Sequence, residues 1–355
     1  MPSDVKLSEG LLLGLGNPLL DISATVDASF LEKYNLKANN AILADEKHKD
    51  LYEDLIKNNK VDYIAGGSTQ NTLRVAQWLI EKPKVAVFMG AVGKDNYSDI
   101  LESKASEFGL VVKYQHHDTE PTGTCAVLIT DNGKARSLVA NLAAANLFTP
   151  DHLHVPENNK LIQNAEYYYV SGFFLTVSPE SILEVAKVAL AKNRLFLMNL
   201  SAPFICEIFN KQQMQMMPYV DILFGNETEA LAFAKQQNFQ TEDLHAIALK
   251  ISNLPKQNPN RERITIITQG DKPIILSQNG KTTEFPVQRL PAESVVDTNG
   301  AGDSFVGGFL SQLIKGEPLS VCIECGVWAA QHIIQVSGCT LVGKPSFKPS
   351  SNNYS

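Results

Sequence analysis

The residues best placed to do chemistry lie in one stretch near the C-terminus, where Asp303 follows two glycines. Positions 295–310 read V-V-D-T-N-G-A-G-D-S-F-V-G-G-F-L, which predicts an extended segment, a glycine-rich turn and a helix with Asp303 in its first turn. Because Gly300 and Gly302 lack side chains, backbone N–H groups can approach an anion closely there. The helix would direct its free N–H groups and the positive end of its dipole at the same place.

This arrangement suits the transfer of a phosphoryl group. A phosphoryl group in transfer spreads negative charge over its equatorial oxygens, and fixed donors stabilise that charge. Asp303 would accept the proton of the attacking hydroxyl. The alternative is a tight strand-to-helix turn with an acidic residue at the helix start, which is common in proteins.

Three motifs, in order along the chain, resemble the ribokinase-like (PfkB-type) carbohydrate kinases. Positions 297–309 resemble the C-terminal signature of that family, and G-L-G-N-P-L-L-D-I-S at 14–23 and N-L-A-A-A-N at 141–146 resemble its adenosine-phosphorylating branch. The resemblance covers roughly positions 12–345. It implies transfer of the γ-phosphoryl group of Mg-ATP to the 5′-hydroxyl of adenosine, with Asn299, Gly300, Ala301 and Gly302 as the anion hole.

Asp21 is the candidate for holding the sugar. A carboxylate has two acceptor oxygens and no donor, so it can accept hydrogen bonds from two adjacent hydroxyls. The resemblance implies this role for Asp21, with Asn17 beside it. Alternatively, Asp21 caps a turn.

A second sugar contact follows the predicted strand at 61–65, where the chain reads G-G-S-T-Q-N. The glycines Gly66 and Gly67 would let the backbone approach a ligand, and Ser68 is predicted to cap the next helix. The resemblance implies that Gly67 and Asn71 bind sugar hydroxyls. A capped helix with a hydrogen-bonded Asn71 is the alternative.

The purine base would lie between two aromatic residues and an apolar surface. Phe173 and Phe204 each follow a predicted strand, and the resemblance implies that they face an apolar set consisting of Leu19, Cys125, Leu138 and Ala140. Core aromatics are the alternative interpretation. Arg136 is either an arginine that reaches the phosphates on closure or a solvated surface charge.

The resemblance assigns the phosphate donor to a different set of residues. Asn226 and Glu229 match an N-x-x-E motif associated with Mg2+ and phosphate, and Glu229 would hold Mg2+ through water. The same pair can form a capping box, and both roles can coexist. Thr268 and Gly270 would contact ATP. A monovalent cation is implied near Asp297 and Ser337.

The elements that must position these residues alternate between strands and helices. Predicted strands at 166–171, 195–199, 220–224 and 264–268 alternate with helices at 179–191, 204–210, 227–235 and 241–252. This predicts an α/β fold with a mainly parallel sheet covered by helices on both faces, and ligands beyond the carboxyl ends of the strands. Strands at 124–130 and 135–142 flank D-N-G, which predicts a hairpin.

The hairpin breaks the alternation and predicts a small β-rich lid. We expect residues 21–65 and 122–143 to form the lid, and residues 1–20, 66–121 and 144–355 to form the large domain. The G-x-G at 14–16 also allows a dinucleotide-binding loop, but the third glycine is absent and Pro18 lies where the helix should begin.

The amino-acid composition argues against some classes of partner and favours one type of cellular compartment. The net charge of −7 without a Lys/Arg block argues against nucleic-acid or anionic-membrane partners. Five scattered cysteines favour a reducing compartment, and the N-terminus lacks the features of a signal peptide. We therefore expect a cytoplasmic or nuclear protein. We also expect a monomer, although none of these features determines the oligomeric state. The rival functions are phosphorylation of a free sugar or another nucleoside, and nucleoside binding without catalysis.

Overall fold

The computed structural model describes residues 7–38, 40–131 and 135–350. The strands, in chain order, are β1 (Leu12–Leu15), β2 (Leu19–Thr25), β3 (Ala41–Leu43), β4 (Asp62–Gly66), β5 (Ala86–Gly93), β6 (Val111–His117), β7 (Thr124–Thr130), β8 (Ala135–Asn141), β9 (Tyr167–Ser171), β10 (Leu195–Asn199), β11 (Ile222–Asn226), β12 (Ile264–Gln269), β13 (Lys272–Gln278) and β14 (Lys281–Phe285).

The helices, in chain order, are α1 (Ala28–Lys33), α2 (Leu51–Asn58), α3 (Ser68–Ile80), α4 (Asn96–Ser106), α5 (Asp151–His154), α6 (Pro156–Asn164), α7 (Pro179–Ala191), α8 (Pro203–Ile208), α9 (Asn210–Met216), α10 (Glu227–Gln236), α11 (Leu244–Ser252), α12 (Ala301–Leu313) and α13 (Leu319–Ile333). The helices predicted at 179–191, 227–235 and 241–252 begin and end within three residues of the predicted positions, whereas α1, α5 and α6 were not predicted. No helix in the described ranges is long and apolar enough to cross a lipid bilayer.

The larger sheet is mainly parallel, as the sequence predicts. Its strand order is β14-β13-β12-β11-β10-β9-β1-β5-β6. The strands from β12 to β6 pair in parallel, and β13 and β14 add an antiparallel edge. The antiparallel edge was not predicted, because β13 and β14 mix polar and apolar residues and lack the continuous apolar pattern of the buried strands.

Helices cover both faces of this sheet, and each face has its own core. Because side chains alternate along a strand, Leu12 of β1 packs in one core while Leu13 and Leu15 pack in the other. The first core contains residues from α3, α12 and α13, and the second contains residues from α7, α8, α10 and α11. Strand β5 is buried along its whole length, as expected of a parallel strand covered on both sides.

A second, smaller sheet has the strand order β3-β8-β7-β2-β4. One face packs on α1 and α2, with Ala126 and Leu128 in that core, and the other carries Cys125 and Val127. Strands β7 and β8 are antiparallel, as predicted, while residues 132–134 of the predicted turn lie outside the described ranges.

The chain crosses between the two sheets twice near its N-terminus. Strand β1 of the larger sheet is followed directly by β2 of the smaller one, and α3 returns the chain to the larger sheet after β4. Since no helix follows β1, the dinucleotide-binding interpretation of G-x-G is wrong. The predicted helix at 204–210 is also split, with α8 ending at Ile208 and α9 starting at Asn210.

Candidate functional site

A cavity of about 500 Å³ lies where the smaller sheet faces the carboxyl ends of β9, β10 and β11. Side chains from both sheets and from the start of α12 line it. Of the predicted site residues, the lining includes Asn17, Leu19, Asp21, Gly67, Ser68, Asn71, Cys125, Arg136, Leu138, Ala140, Phe173, Phe204, Asn226, Glu229, Asn299, Gly300, Ala301, Gly302 and Asp303. Gly66, Thr268 and Gly270 lie outside it.

Asp303 lies in the first turn of α12, in the wall of this cavity. Its carboxylate accepts hydrogen bonds from Ser68 Oγ at 2.6 Å and from Asn71 Nδ2 at 3.3 Å. Burial raises the pKa of Asp303 to about 6, although both hydrogen bonds oppose the rise. A carboxylate with this pKa is ionised at neutral pH and can still accept a proton.

The contact from Ser68 corrects one prediction about α3. The N-cap of this helix is Gly67, whose φ of +91° is in the region that favours glycine, and Ser68 is the first helical residue. The Ser68 hydroxyl donates its hydrogen bond to Asp303. A Cβ at Gly67 would also lie 2.2 Å from the carbonyl oxygen of Asn17.

Asp21 lies on β2 and is 7 % exposed. Within the described ranges, no protein group donates a hydrogen bond to its carboxylate. Burial, with the charges of Asp303 and Asp297, raises the pKa of Asp21 to about 8, and Arg74 opposes the rise. Gly66 allows the close packing behind it, because a Cβ there would lie 2.2 Å from Asp21 Oδ1. Asp21 is thus a buried acceptor that still needs donors.

Asn17 offers a second acceptor in the same wall. Its Nδ2 donates a long hydrogen bond of 3.5 Å to the carbonyl of Phe173, and its Oδ1 is buried without a hydrogen-bond partner among the described residues. Because a buried acceptor without a donor costs free energy, a ligand hydroxyl or amine at this position would be stabilised.

The backbone of the predicted anion hole is only partly free. Gly300 is the N-cap of α12, with φ of +77°. The amide of Asn299 donates to Asp297 Oδ1 at 2.7 Å, and the amide of Ala301 donates to the Thr298 carbonyl at 3.3 Å. The N–H groups of Gly300 and Gly302 meet no acceptor among the described residues, so they remain available to an anion.

Arg136 makes a buried ion pair. The sequence had suggested either an arginine that reaches the phosphates or a solvated surface charge, and neither alternative included this pair. Its Nε donates to Asp297 Oδ1 at 2.5 Å, its Nη2 donates to the Val296 carbonyl at 2.8 Å, and its side chain is buried. Arg136 is therefore not a solvated surface charge. The pair joins β8 of the smaller sheet to the segment before the glycine-rich turn, and the guanidinium still borders the cavity.

The apolar part of the cavity has two walls. Aromatic residues form one wall, and apolar residues of the smaller sheet form the other. The rings of Phe173 and Phe204 have centroids 6.2 Å apart and a tilt of 42°. Leu19 and Cys125 belong to a buried cluster on which Leu138 and Ala140 pack. This leaves an apolar slot bounded by π-surfaces, which suits a flat heteroaromatic ring.

Asn226 and Glu229 form a capping box at the start of α10. Asn226 Oδ1 accepts from the Glu229 amide at 2.9 Å, and Glu229 accepts from the Asn226 amide at 3.0 Å and from its Nδ2 at 2.8 Å. Burial raises the pKa of Glu229 to about 7. Each Glu229 oxygen retains lone-pair capacity at the edge of the cavity, which fits a water-mediated contact to Mg2+.

Thr268 and Gly270 lie beyond this capping box. Thr268 of β12 pairs with Asn226 across the sheet, and Gly270 is in the turn after β12, with φ of +61° and open space beside it. Among the described residues, no group of three or more His, Cys, Asp and Glu side chains could hold a metal ion by itself. A metal here would need ligands from a bound molecule.

Several polar lining residues were missed by the sequence reasoning. Ser171 and Asn199 end β9 and β10, and Ser201 follows shortly after. Their position at the carboxyl ends of parallel strands was the signal that could have identified them. The edge strand β3 also borders the cavity, and residues 40–43 gave no comparable signal.

Comparison with known proteins agrees with this geometry. Residues 28–346 match the family described as pfkB family carbohydrate kinase. Adenosine kinase 2 from Arabidopsis thaliana is 51 % identical over 339 residues, covering 96 % of this chain and 98 % of the relative.

Solved structures show the same relationship. Anopheles gambiae adenosine kinase in complex with P1,P4-di(adenosine-5) tetraphosphate is 56 % identical, with a TM-score of 0.93 over 96 % of this chain and 100 % of that one. Schistosoma mansoni adenosine kinase with 2-fluoroadenosine is 38 % identical, with a TM-score of 0.92 over 95 % of this chain and 99 % of that one.

Proposed function

The chain belongs to the pfkB family of carbohydrate kinases, and we propose that it transfers the γ-phosphoryl group of ATP to the 5′-hydroxyl of adenosine, giving AMP and ADP. The observation that carries this proposal is the position of Asp303. Its carboxylate lies at the N-terminus of α12, beside the free amides of Gly300 and Gly302, and faces the same cavity as the unpaired acceptor Asp21.

The chemical step needs a base and a stabilised anion. Asp303 accepts the proton of the 5′-hydroxyl as its oxygen attacks the γ-phosphorus, and the bond from that phosphorus to the bridging oxygen breaks, releasing ADP. Hydrogen bonds from Ser68 and Asn71 hold the carboxylate in place. The free amides and the helix dipole stabilise the charge on the transferring group.

The substrate is held by polar groups at the ribose and apolar groups at the base. Asp21 accepts from the vicinal hydroxyls of ribose, which supplies the donors that its buried carboxylate lacks. Asn17, Asn71 and the backbone at Gly67 complete the ribose contacts. The base occupies the slot between Phe173 and Phe204 and the apolar set on the smaller sheet.

The phosphate donor would enter beside α10. Bound Mg2+ neutralises phosphate charge and orients the γ-phosphoryl group. Glu229 would hold it through water, Asn226 fixes the Glu229 carboxylate, and Thr268 and Gly270 would border the nucleotide farther out. A monovalent cation at Asp297 would have to share that carboxylate with Arg136 and two backbone amides, so this reaction is proposed without one.

The smaller sheet serves as the lid in this proposal, formed by residues 21–65 and 122–143. It supplies Asp21 and most of the apolar slot, so its approach to the larger sheet would exclude water from the reacting groups. The protein would act as a monomer in the cytoplasm or nucleus. The five cysteines are free thiols, as a reducing compartment maintains them.

Incubation with Mg-ATP and a set of nucleosides and sugars tests the proposal. The set includes adenosine, inosine, cytidine, ribose and fructose, with ADP release and phosphorylated product both quantified. Adenosine should give AMP and ADP in equal amounts and the highest kcat/KM. A higher kcat/KM for a free sugar, or no ADP release above the rate without acceptor, would contradict it.

A further inference from the structure

Arg74 of α3 is a buried cation that the proposed chemistry does not use. It is 4 % exposed, and no carboxylate among the described residues forms a salt bridge with it. Its Nε has no hydrogen-bond partner among them. A buried charge without a nearby opposite charge is strongly disfavoured. The buried guanidinium of Arg74 must therefore be stabilised by negative charge close to it.

The acceptors of Arg74 connect it to three acids. Its Nη1 donates to the carbonyl of Ala65 at 3.2 Å, to Oδ1 of Asn71 at 3.4 Å and to the carbonyl of Cys339 at 3.1 Å. These groups come from β4, from α3 itself and from the segment after α13. The guanidinium therefore joins three separate parts of the chain.

Each of these three residues either contacts a carboxylate itself or precedes or follows a residue that does, and the carboxylate is a different one in each case. Ala65 precedes Gly66, which packs against Asp21. Asn71 donates through Nδ2 to Asp303, and Gly338, which precedes Cys339, donates its amide to Asp297 at 2.7 Å.

We propose that Arg74 is a positioning residue that orients Asn71 toward Asp303 and balances the negative charge of the three acids Asp21, Asp297 and Asp303. Because Asn71 Oδ1 accepts from Arg74, its Nδ2 is the end that faces Asp303. The role rests on the proposed function, since it concerns the base and the sugar acceptor of that reaction.

The titration of this region depends on a defined set of groups. Asp21 of β2, Tyr114 of β6, Tyr169 of β9, Glu229 of α10 and Cys339 interact electrostatically with Asp303 or Arg74. Asp297, which pairs with Arg136 of β8, interacts with Asp21. Burial raises the pKa of Tyr114, Tyr169 and Cys339 above their ordinary values. Asp303, Glu229 and Asp21, whose pKa values burial raises to about 6, 7 and 8, are therefore the groups that titrate between about pH 5.5 and 9.

The test is the pH dependence of kcat with saturating adenosine and Mg-ATP, for wild type, Arg74→Met, Arg74→Lys and Gln77→Met. Loss of Arg74 should release Asn71, whose hydrogen bond lowers the pKa of Asp303. The acid limb of Arg74→Met should then move up by roughly one pH unit, so that turnover falls about eightfold at pH 5.5 and less than about twofold from this shift at pH 9. Arg74→Lys keeps the charge and should restore the limb.

Gln77→Met is the matched control. Gln77 is fully buried on the same helix and bonds the Lys82 carbonyl and the Ala86 amide, away from the acids. Its loss should lower Tm and leave the acid limb in place. In a double-mutant cycle, the fold loss of kcat in the variant that carries both Arg74→Met and Asn71→Ala should be clearly smaller than the product of the fold losses in the two single variants.

The positioning role would be overturned if Arg74→Met kept the wild-type acid limb and if the kcat losses in the double-mutant cycle multiplied. If Arg74→Met does not fold, the neutral variant Arg74→Gln decides, because an acid limb moved to higher pH supports the role and a wild-type acid limb overturns it. A wild-type protein that releases no ADP with adenosine would instead overturn the proposed function, and this inference with it.

Discussion

Removing the hydroxyl of Ser68 should shift the pH dependence of turnover without disabling the enzyme at high pH. Ser68 Oγ donates to Asp303 over 2.6 Å. Burial raises the pKa of Asp303 to about 6, and this hydrogen bond opposes the rise. Because the base acts only when ionised, any further rise in its pKa moves the acid limb of kcat to higher pH.

The size of the shift follows from the energy of the lost bond. A hydrogen bond to a charged group contributes about 1.5–3 kcal/mol, which corresponds to a pKa rise of about 1–2 units. At pH 7 the ionised fraction of Asp303 would fall from about 90 % to between about 10 and 50 %, so kcat of Ser68→Ala would fall about two- to tenfold. At pH 9 kcat should be close to that of wild type.

The assay is kcat at saturating adenosine and Mg-ATP between pH 5 and 9.5, with Ser68→Thr as the control that keeps a hydroxyl. Saturation matters, since kcat reports the ionisation of the bound complex, in which ribose already supplies donors to Asp21. Ser68→Thr should keep the wild-type limb. A loss of the same factor at every pH in Ser68→Ala would refute the reasoning and leave Ser68 with a packing role.

Three further outcomes are expected. Glu229→Gln should raise the Mg2+ concentration for half-maximal rate about tenfold, more than it weakens adenosine binding; identical Mg2+ titrations would leave only the capping box with Asn226. Asp21→Ala should shrink the preference in kcat/KM for adenosine over 2′-deoxyadenosine from on the order of 10²-fold toward unity; equal losses on both substrates would make Asp21 a structural residue. Replacing potassium with tetramethylammonium should leave kcat within about twofold, because Arg136 already pairs with Asp297; strict potassium dependence would contradict this.

The fold was largely predictable because its signals are local. Apolar runs such as 86–89 and 195–198 can be buried on both faces only in a covered sheet, and proline and glycine positions mark the helix starts. The antiparallel edge of β13 and β14 was not predicted, because half-polar edge strands have a weaker pattern.

The sequence predicted which residues line the site, but it did not predict the contacts between them. Asp303, Asp21 and Asn71 were identified from motifs, and all three line one cavity. Their partners were not readable, because the bond from Ser68 to Asp303 joins residues 235 positions apart. The buried pair of Arg136 and Asp297 spans 161 positions, and an arginine on a predicted hairpin gives no sign of its partner.

The most direct test of Asp303 as the base is a comparison of chemistry with binding in Asp303→Asn. The amide keeps nearly the same shape but cannot accept the proton, so kcat should fall by at least about 10²–10⁴-fold. Adenosine affinity, measured by calorimetry, should stay within about threefold, because the ribose and base contacts remain. Turnover within about threefold of wild type at unchanged affinity would contradict the role of Asp303 as the catalytic base.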